Sequence, residues 1–115
     1  MALGAGISVL SLQSCSSTLV VNSTLESNKV RVAKSNFTTE VNSILVRVKE
    51  LEFDVLVVKI ESDYCAIYLQ CSHESNPLNY TSGKIVCNSH GSQFDLEGYP
   101  TVGPADKRLR RFVIE

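Results

Sequence analysis

The sequence predicts an all-β domain, a small antiparallel sandwich or barrel-like arrangement with two long loops at one end. Three observations predict it. Val is the commonest apolar residue and Trp is absent, a balance that favours pleated strands over helices. From Lys29 onward the apolar residues either alternate or form β-branched runs, and no stretch keeps a helical period for three turns. The two segments that break this pattern, 70–83 and 88–93, are polar, contain Pro77 and Gly91, and each has a cysteine next to its first residue, Cys71 and Cys87. The chain has 115 residues, enough for one domain. Leu, Ile, Val and Phe make up about a third of it, which supplies a core and excludes a disordered segment. Eleven basic against 12 acidic residues give a formal charge of −1, which excludes a strongly basic nucleic-acid binder.

The first 25 residues carry no charge and read separately from the rest. Ala2 to Leu12 is apolar with small residues, and as a helix it rises only about 16 Å, short of the ~30 Å hydrocarbon core. It suits the apolar region of a secretory signal. Leu12-Gln13-Ser14-Cys15 follows directly and resembles a bacterial lipobox. That resemblance implies cleavage before Cys15, a lipid on its sulfur, and a mature chain on the extracytoplasmic face of a bacterial membrane. Without a signal the chain would be cytoplasmic. No basic residue precedes the run, which departs from such a signal, so an upstream start codon with an Arg-Arg pair for export is the point to check. The expected division is a signal over 1–15, a tether over 16–27 with an edge strand as its alternative, and a folded domain over 28–115.

Within the domain, Val30-Arg31-Val32 alternates as a short strand. Ser43 to Val48 places Ile44, Val46 and Val48 on one face. Asp54 to Ile60 contains Val55, Leu56, Val57 and Val58, a run suited to a strand covered on both sides. Glu61-Ser62-Asp63 is a polar turn and Tyr64 to Leu69 its hairpin partner. Ile85-Val86, Phe94 to Leu96 and Leu109 to Ile114 supply the remaining short strands.

The chemistry lies in the loops. The chain has two histidines, and each follows a cysteine, in Cys71-Ser72-His73 and Cys87-Asn88-Ser89-His90. Two thiolates and two imidazoles on a pair of loops form a four-ligand set for a soft metal. A structural Cys₂His₂ zinc module is one occupant, although a single residue between Cys71 and His73 is tight for a zinc hairpin.

The surroundings point elsewhere. Cys87-Asn88-Ser89-His90-Gly91-Ser92-Gln93-Phe94-Asp95, then Gly98-Tyr99-Pro100 and Gly103-Pro104-Ala105, resemble the Rieske [2Fe–2S] family over about residues 28–115, with the cluster-binding part near 70–105. The resemblance implies one [2Fe–2S] cluster per chain, with Cys71 and Cys87 on one iron and His73 and His90 on the other. It implies close backbone approach at Gly91, a hydroxyl donor to a bridging sulfide at Ser92, and a flap over the cluster at Gly103-Pro104-Ala105.

Departures from the family pattern carry expectations of their own. Quinol-oxidising members join the loops through a disulfide, whereas this chain has Asn76 and Ser89 at those positions. The tyrosine that donates to a ligand sulfur is here Phe94. Fewer donors to sulfur favour the oxidised cluster, so the potential is expected below the upper part of the roughly −150 to +300 mV Rieske span. Glu74, beside a ligand histidine, is unsuited to an apolar quinol pocket. The expected function is one-electron transfer to redox protein partners, with no catalytic site in this chain and with the membrane reached through the lipid. The alternative from the enzyme class is a small electron-transfer subunit of an oxygenase or reductase.

The remaining candidates read as structure. Cys65 alternates with Ile67 and Leu69 on a strand face and is expected buried and inert. Lys107-Arg108 and Arg110-Arg111 read as a solvated strand end, with docking of an acidic partner or anionic lipid as the alternative. Asp95 and Glu97 fit turn chemistry, and the Asn-x-Thr triplets at Asn22, Asn36 and Asn79 are incidental in a bacterial chain.

Overall fold

The computed structural model describes residues 18–81 and 83–115. The expected signal and Cys15 lie outside the described residues. Among the described residues nine strands form two sheets: β1 (Leu19–Ser23), β2 (Ser43–Val48), β3 (Val55–Ile60), β4 (Asp63–Tyr68), β5 (Asn79–Thr81), β6 (Lys84–Val86), β7 (Gln93–Phe94), β8 (Pro100–Val102) and β9 (Arg111–Phe112). The larger sheet has the order β1-β2-β3-β4-β9 and the smaller one β5-β6-β7-β8. A single 3₁₀ turn, Lys34–Asn36, is the one helical element among the described residues. None of their helices is long and apolar enough to cross a membrane.

The alternation of side chains across β2, β3 and β4 builds two cores on the two faces of the larger sheet. Leu56, Val58, Ile67 and Leu69 face the smaller sheet and meet Leu78, Ile85, Phe94, Ala105 and Leu109 there. Ile44, Val46, Val48, Val55, Val57, Ala66 and Tyr68 face the other way. The β-branched run of β3 is therefore covered on both sides, as its composition predicts. The turn at Glu61 and Ser62 closes the β3–β4 hairpin, with Ile60 opposite Asp63.

Two segments differ from the sequence reading. Val30 and Val32 enter no ladder; they pack against the outer core beside Phe37 and Phe53, so their alternation is satisfied by covering a sheet face. The segment expected as a tether over 16–27 contains β1, the edge-strand alternative, which pairs with β2 in parallel from Leu19↔Ile44 to Ser23↔Val48. This pair is parallel, whereas every other pairing of named strands is antiparallel. Strands β5 and β8 were not expected either. Asn79-Tyr80-Thr81 is mostly polar and Pro100-Thr101-Val102 starts at a proline, so neither shows a strand pattern.

The sheets are joined directly. The Ser43 hydroxyl of β2 donates to the Tyr80 hydroxyl of β5 at 3.0 Å. Both cysteine-bearing loops project from the same end of this assembly, one after β4 and one between β6 and β7.

Candidate metal centre

The two loops share one backbone design. In the first, the Cys71 N–H donates to the Asn76 carbonyl at 2.8 Å and the Ser75 N–H to the Cys71 carbonyl at 2.9 Å. In the second, the Cys87 N–H donates to the Ser92 carbonyl at 2.8 Å and the Gly91 N–H to the Cys87 carbonyl at 2.9 Å. The fifth residue of each loop takes the left-handed conformation, Ser75 at φ 53° and Gly91 at φ 82°. Glycine meets that demand without the Cβ penalty that Ser75 carries.

Within this frame the four candidate ligands separate into two tiers. Cys71 and Cys87 are buried and belong to the inner core with Leu56, Ile85 and Phe94. His73 and His90 are exposed, with ring centroids 5.3 Å apart and planes at 87°. The His73 N–H, at 3.4 Å from Cys71 Sγ, joins the tiers. Sulfur inside and imidazole at the rim is the division that the resemblance implies for the two irons.

A third segment joins the core that holds the thiols. Gly103 and Pro104, joined by a cis peptide, are exposed, while Ala105 is buried beside Cys71 and Cys87. The Ala105 N–H donates to Ser92 Oγ at 3.0 Å. Ser92 is the one buried polar residue among the described residues, at 0% exposure. An oxygen that accepts from Ala105 in this way still carries a hydroxyl proton of its own to donate. On the other side, the Ser72 hydroxyl donates to the Lys107 carbonyl at 2.7 Å. Residues 105–107 thus hydrogen-bond to both loops.

Phe94 is buried on β7 among the core residues that include both cysteines. Cys65 is half-buried against the same core. Asn76 and Ser89 lie in the loops and neither is a cysteine, so no covalent bond links the loops at those positions.

Three features were not legible in the sequence. Glu74 follows His73, yet its carboxylate Oε1 stands 3.5 Å from Nε2 of His90 on the other loop. Ligand atoms of His73, Glu74 and His90 lie within 4.8 Å of one another. The Ser72–Lys107 bond spans 35 residues and had no local signal. Lys107, Arg110 and Arg111 of the basic run are exposed, as a solvated strand end requires, but two arginines also make contacts within the chain: the Arg108 guanidinium stacks 3.9 Å from the Tyr99 ring and its Nε donates to the Glu97 carbonyl, while Arg110 lies 5.1 Å from the Phe112 ring. Asp95 serves the turn as expected, accepting from the Glu97 and Tyr99 N–H groups at 2.9 Å each.

Comparison with known proteins places this geometry. The family model described as Rieske [2Fe-2S] domain matches residues 27–113. The structure is similar to the crystal structure of the cyanobacterial plasma membrane Rieske protein PetC3 from Synechocystis PCC 6803, with a TM-score of 0.53 and 25% sequence identity over 63% of this chain and 75% of that one. No curated protein matches the sequence.

Proposed function

This chain belongs to the Rieske [2Fe–2S] domain family, and from that premise we propose that it is a one-electron carrier held at the extracytoplasmic face of a bacterial membrane by a lipid on Cys15. Family membership implies a [2Fe–2S] cluster and decides against the zinc module. The donor set fits that group: two buried sulfurs, two exposed imidazoles, and the buried hydroxyl of Ser92. When bound, the cluster takes up and releases one electron at a potential tuned by its ligands and their hydrogen bonds.

Cys71 and Cys87 would hold one iron and His73 and His90 the other. The observation that carries the reading is the two-tier arrangement of these four side chains on loops of matched backbone. Buried thiolates keep water from the sulfur side, and exposed imidazoles give a partner protein a short path to the metal. Gly91 keeps the second loop free of a side chain at its turn. Ser92 would supply a hydroxyl donor to the bound cluster. Ala105, with Gly103 and Pro104 in the same segment, would limit access of water to the cluster. The polar rim around the histidines suits transient docking of a redox protein.

The test is spectroscopic. The purified full-length protein is expected to show the visible absorption and, once reduced, the paramagnetic signal of a His₂Cys₂ cluster. His73→Ala and His90→Ala should each abolish that signal, and an unchanged spectrum in both would remove these residues from the ligand set. For the anchor, Cys15→Ser in the native host should release the protein from membranes or block signal cleavage; equal membrane association of both forms would overturn it.

A further inference from the structure

Residues 105–109 bond to the two cysteine loops at one end and to the turn after β7 at the other. The Ala105 N–H donates to Ser92 Oγ at 3.0 Å, and the Lys107 carbonyl accepts from the Ser72 hydroxyl at 2.7 Å. The next two residues bind the 95–99 turn instead. The Arg108 Nε donates to the Glu97 carbonyl at 3.0 Å, and its guanidinium stacks 3.9 Å from the Tyr99 ring. The Leu109 N–H donates to the Gly98 carbonyl at 2.9 Å.

That turn is a firm support. Asp95 Oδ1 accepts from the Glu97 and Tyr99 N–H groups, the Asp95 N–H donates to the Tyr99 carbonyl, and the Gly98 N–H donates to the Asp95 carbonyl. The two segments also approach closely: a Cβ on Gly98, which has φ 90°, would lie 3.3 Å from that of Leu109. Arg108 is the side chain of the basic run placed to grip this support. Lys107 and Arg111 are exposed, and Arg110 lies over Tyr68 and Phe112, which belong to the outer core. A guanidinium suits the task because it is planar, stacks on an aromatic face and donates from a fixed fork, which an ammonium does not reproduce.

We propose that Arg108 is a positioning residue for the cluster site: its hold on the 95–99 turn fixes residues 105–107 against both cysteine loops, and with them the Ser92 hydroxyl. This rests on the cluster assignment proposed above. Arg108 acts through Ala105 and Lys107, whose backbone groups meet Ser92 and Ser72. When the arginine is replaced, Leu109 keeps its bond to Gly98 and its buried place in the core, so the segment stays folded but less tightly held.

The experiment compares the full-length holoprotein with its Arg108→Ala, Arg108→Lys and Tyr99→Phe variants. Two quantities are measured: amide hydrogen exchange at Ala105 under native conditions, by mass spectrometry, and the reduction potential of the cluster. Exchange should quicken roughly tenfold in both Arg108 variants, the factor for ~1.4 kcal/mol, and keep the parent rate in Tyr99→Phe, which retains the ring. The potential should fall by similar amounts in Arg108→Ala and Arg108→Lys, because the Ser92 donor is less well held in both. Lysine keeps the positive charge. A parent potential in Arg108→Lys beside a lowered one in Arg108→Ala would therefore assign the effect to charge and overturn the proposal. Parent exchange rates in both Arg108 variants would overturn the grip itself. Faster exchange with potentials unchanged or raised would overturn its action on the cluster. A parent protein without the paramagnetic signal of the reduced cluster would overturn the cluster assignment and this role with it, while the exchange rates still judge the grip.

Discussion

The Glu74 carboxylate stands 3.5 Å from Nε2 of His90, so the charge of one cysteine loop lies against the imidazole of the other. Both side chains are well exposed, at 55% and 39%, which screens the interaction without removing it. A negative charge at that edge opposes arrival of an electron on the histidine side of the cluster. Glu74→Gln should therefore raise the reduction potential. An exposed pair is worth about 0.2–1 kcal/mol, and ~1.4 kcal/mol corresponds to about 59 mV for one electron, so a rise of roughly 10–40 mV is expected. Voltammetry at low and high salt checks it: the difference between the two proteins should shrink with salt. A fall in potential would show that the carboxylate acts mainly by orienting His90.

Ser92 and Phe94 give a second pair of shifts of opposite sign. Ser92→Ala removes the free hydroxyl proton, should lower the potential by several tens of millivolts, and strands the Ala105 N–H at a cost of about 1–3 kcal/mol in stability. Phe94→Tyr adds a hydroxyl beside the buried cysteines and should raise the potential. Potentials of both variants, with thermal melts, decide the matter. A lowered potential in Phe94→Tyr would mean that the ring edge does not face a ligand sulfur.

Ser72 ties the first loop to residue 107, a task that a covalent bond between the loops does not perform in this chain. One such hydrogen bond contributes about 0.5–1.5 kcal/mol net, against about 2–4 kcal/mol for a disulfide. Ser72→Ala should speed loss of the cluster to a chelator by about fivefold, the factor that ~1 kcal/mol corresponds to, and Ser72→Thr should restore it. Equal rates in all three proteins would confine Ser72 to the surface.

The two faces of the larger sheet should separate in their effect on the cluster. Leu56 and Ile44 are both fully buried, Leu56 in the core that contains the cysteines and Ile44 in the core on the opposite face. Each truncation to Ala should cost about 2–5 kcal/mol in unfolding free energy. Leu56→Ala should also broaden the cluster's paramagnetic signal under native conditions, whereas Ile44→Ala should leave it as in the parent. Identical signals in the two variants would contradict the division of the cores.

Much of this was legible in the sequence, for physical reasons that differ by residue. Asp54 to Ile60 and its hairpin partner were readable because a β-branched run covered on both faces and a polar turn leave local marks. The cysteine and histidine boxes were readable because spacing itself is the signal. Strand β1 was less so, since Leu19, Val20 and Val21 follow one another without alternation and pair in parallel with a strand twenty residues on. The Glu74–His90 and Ser72–Lys107 contacts join segments distant in sequence, and only the packed loops bring them together. The contacts of Arg108 with Tyr99 and of Arg110 with Phe112 depend on tertiary placement, which a run of charges does not reveal.

The repeated hydrogen-bond pattern of the two cysteine loops makes them equivalent halves of a clasp. Main-chain amides and carbonyls hold each half in shape, and the side chains between the ligands take no part in that scaffold. Composition there is thus decoupled from conformation, apart from the left-handed turn at Ser75 and Gly91. Residues such as Glu74, Asn88 and Ser89 are free to vary in charge and size without refolding the chain. Selection or design can therefore retune the driving force of the electron step, or exchange one docking partner for another, by rewriting a few surface letters on an unchanged mould.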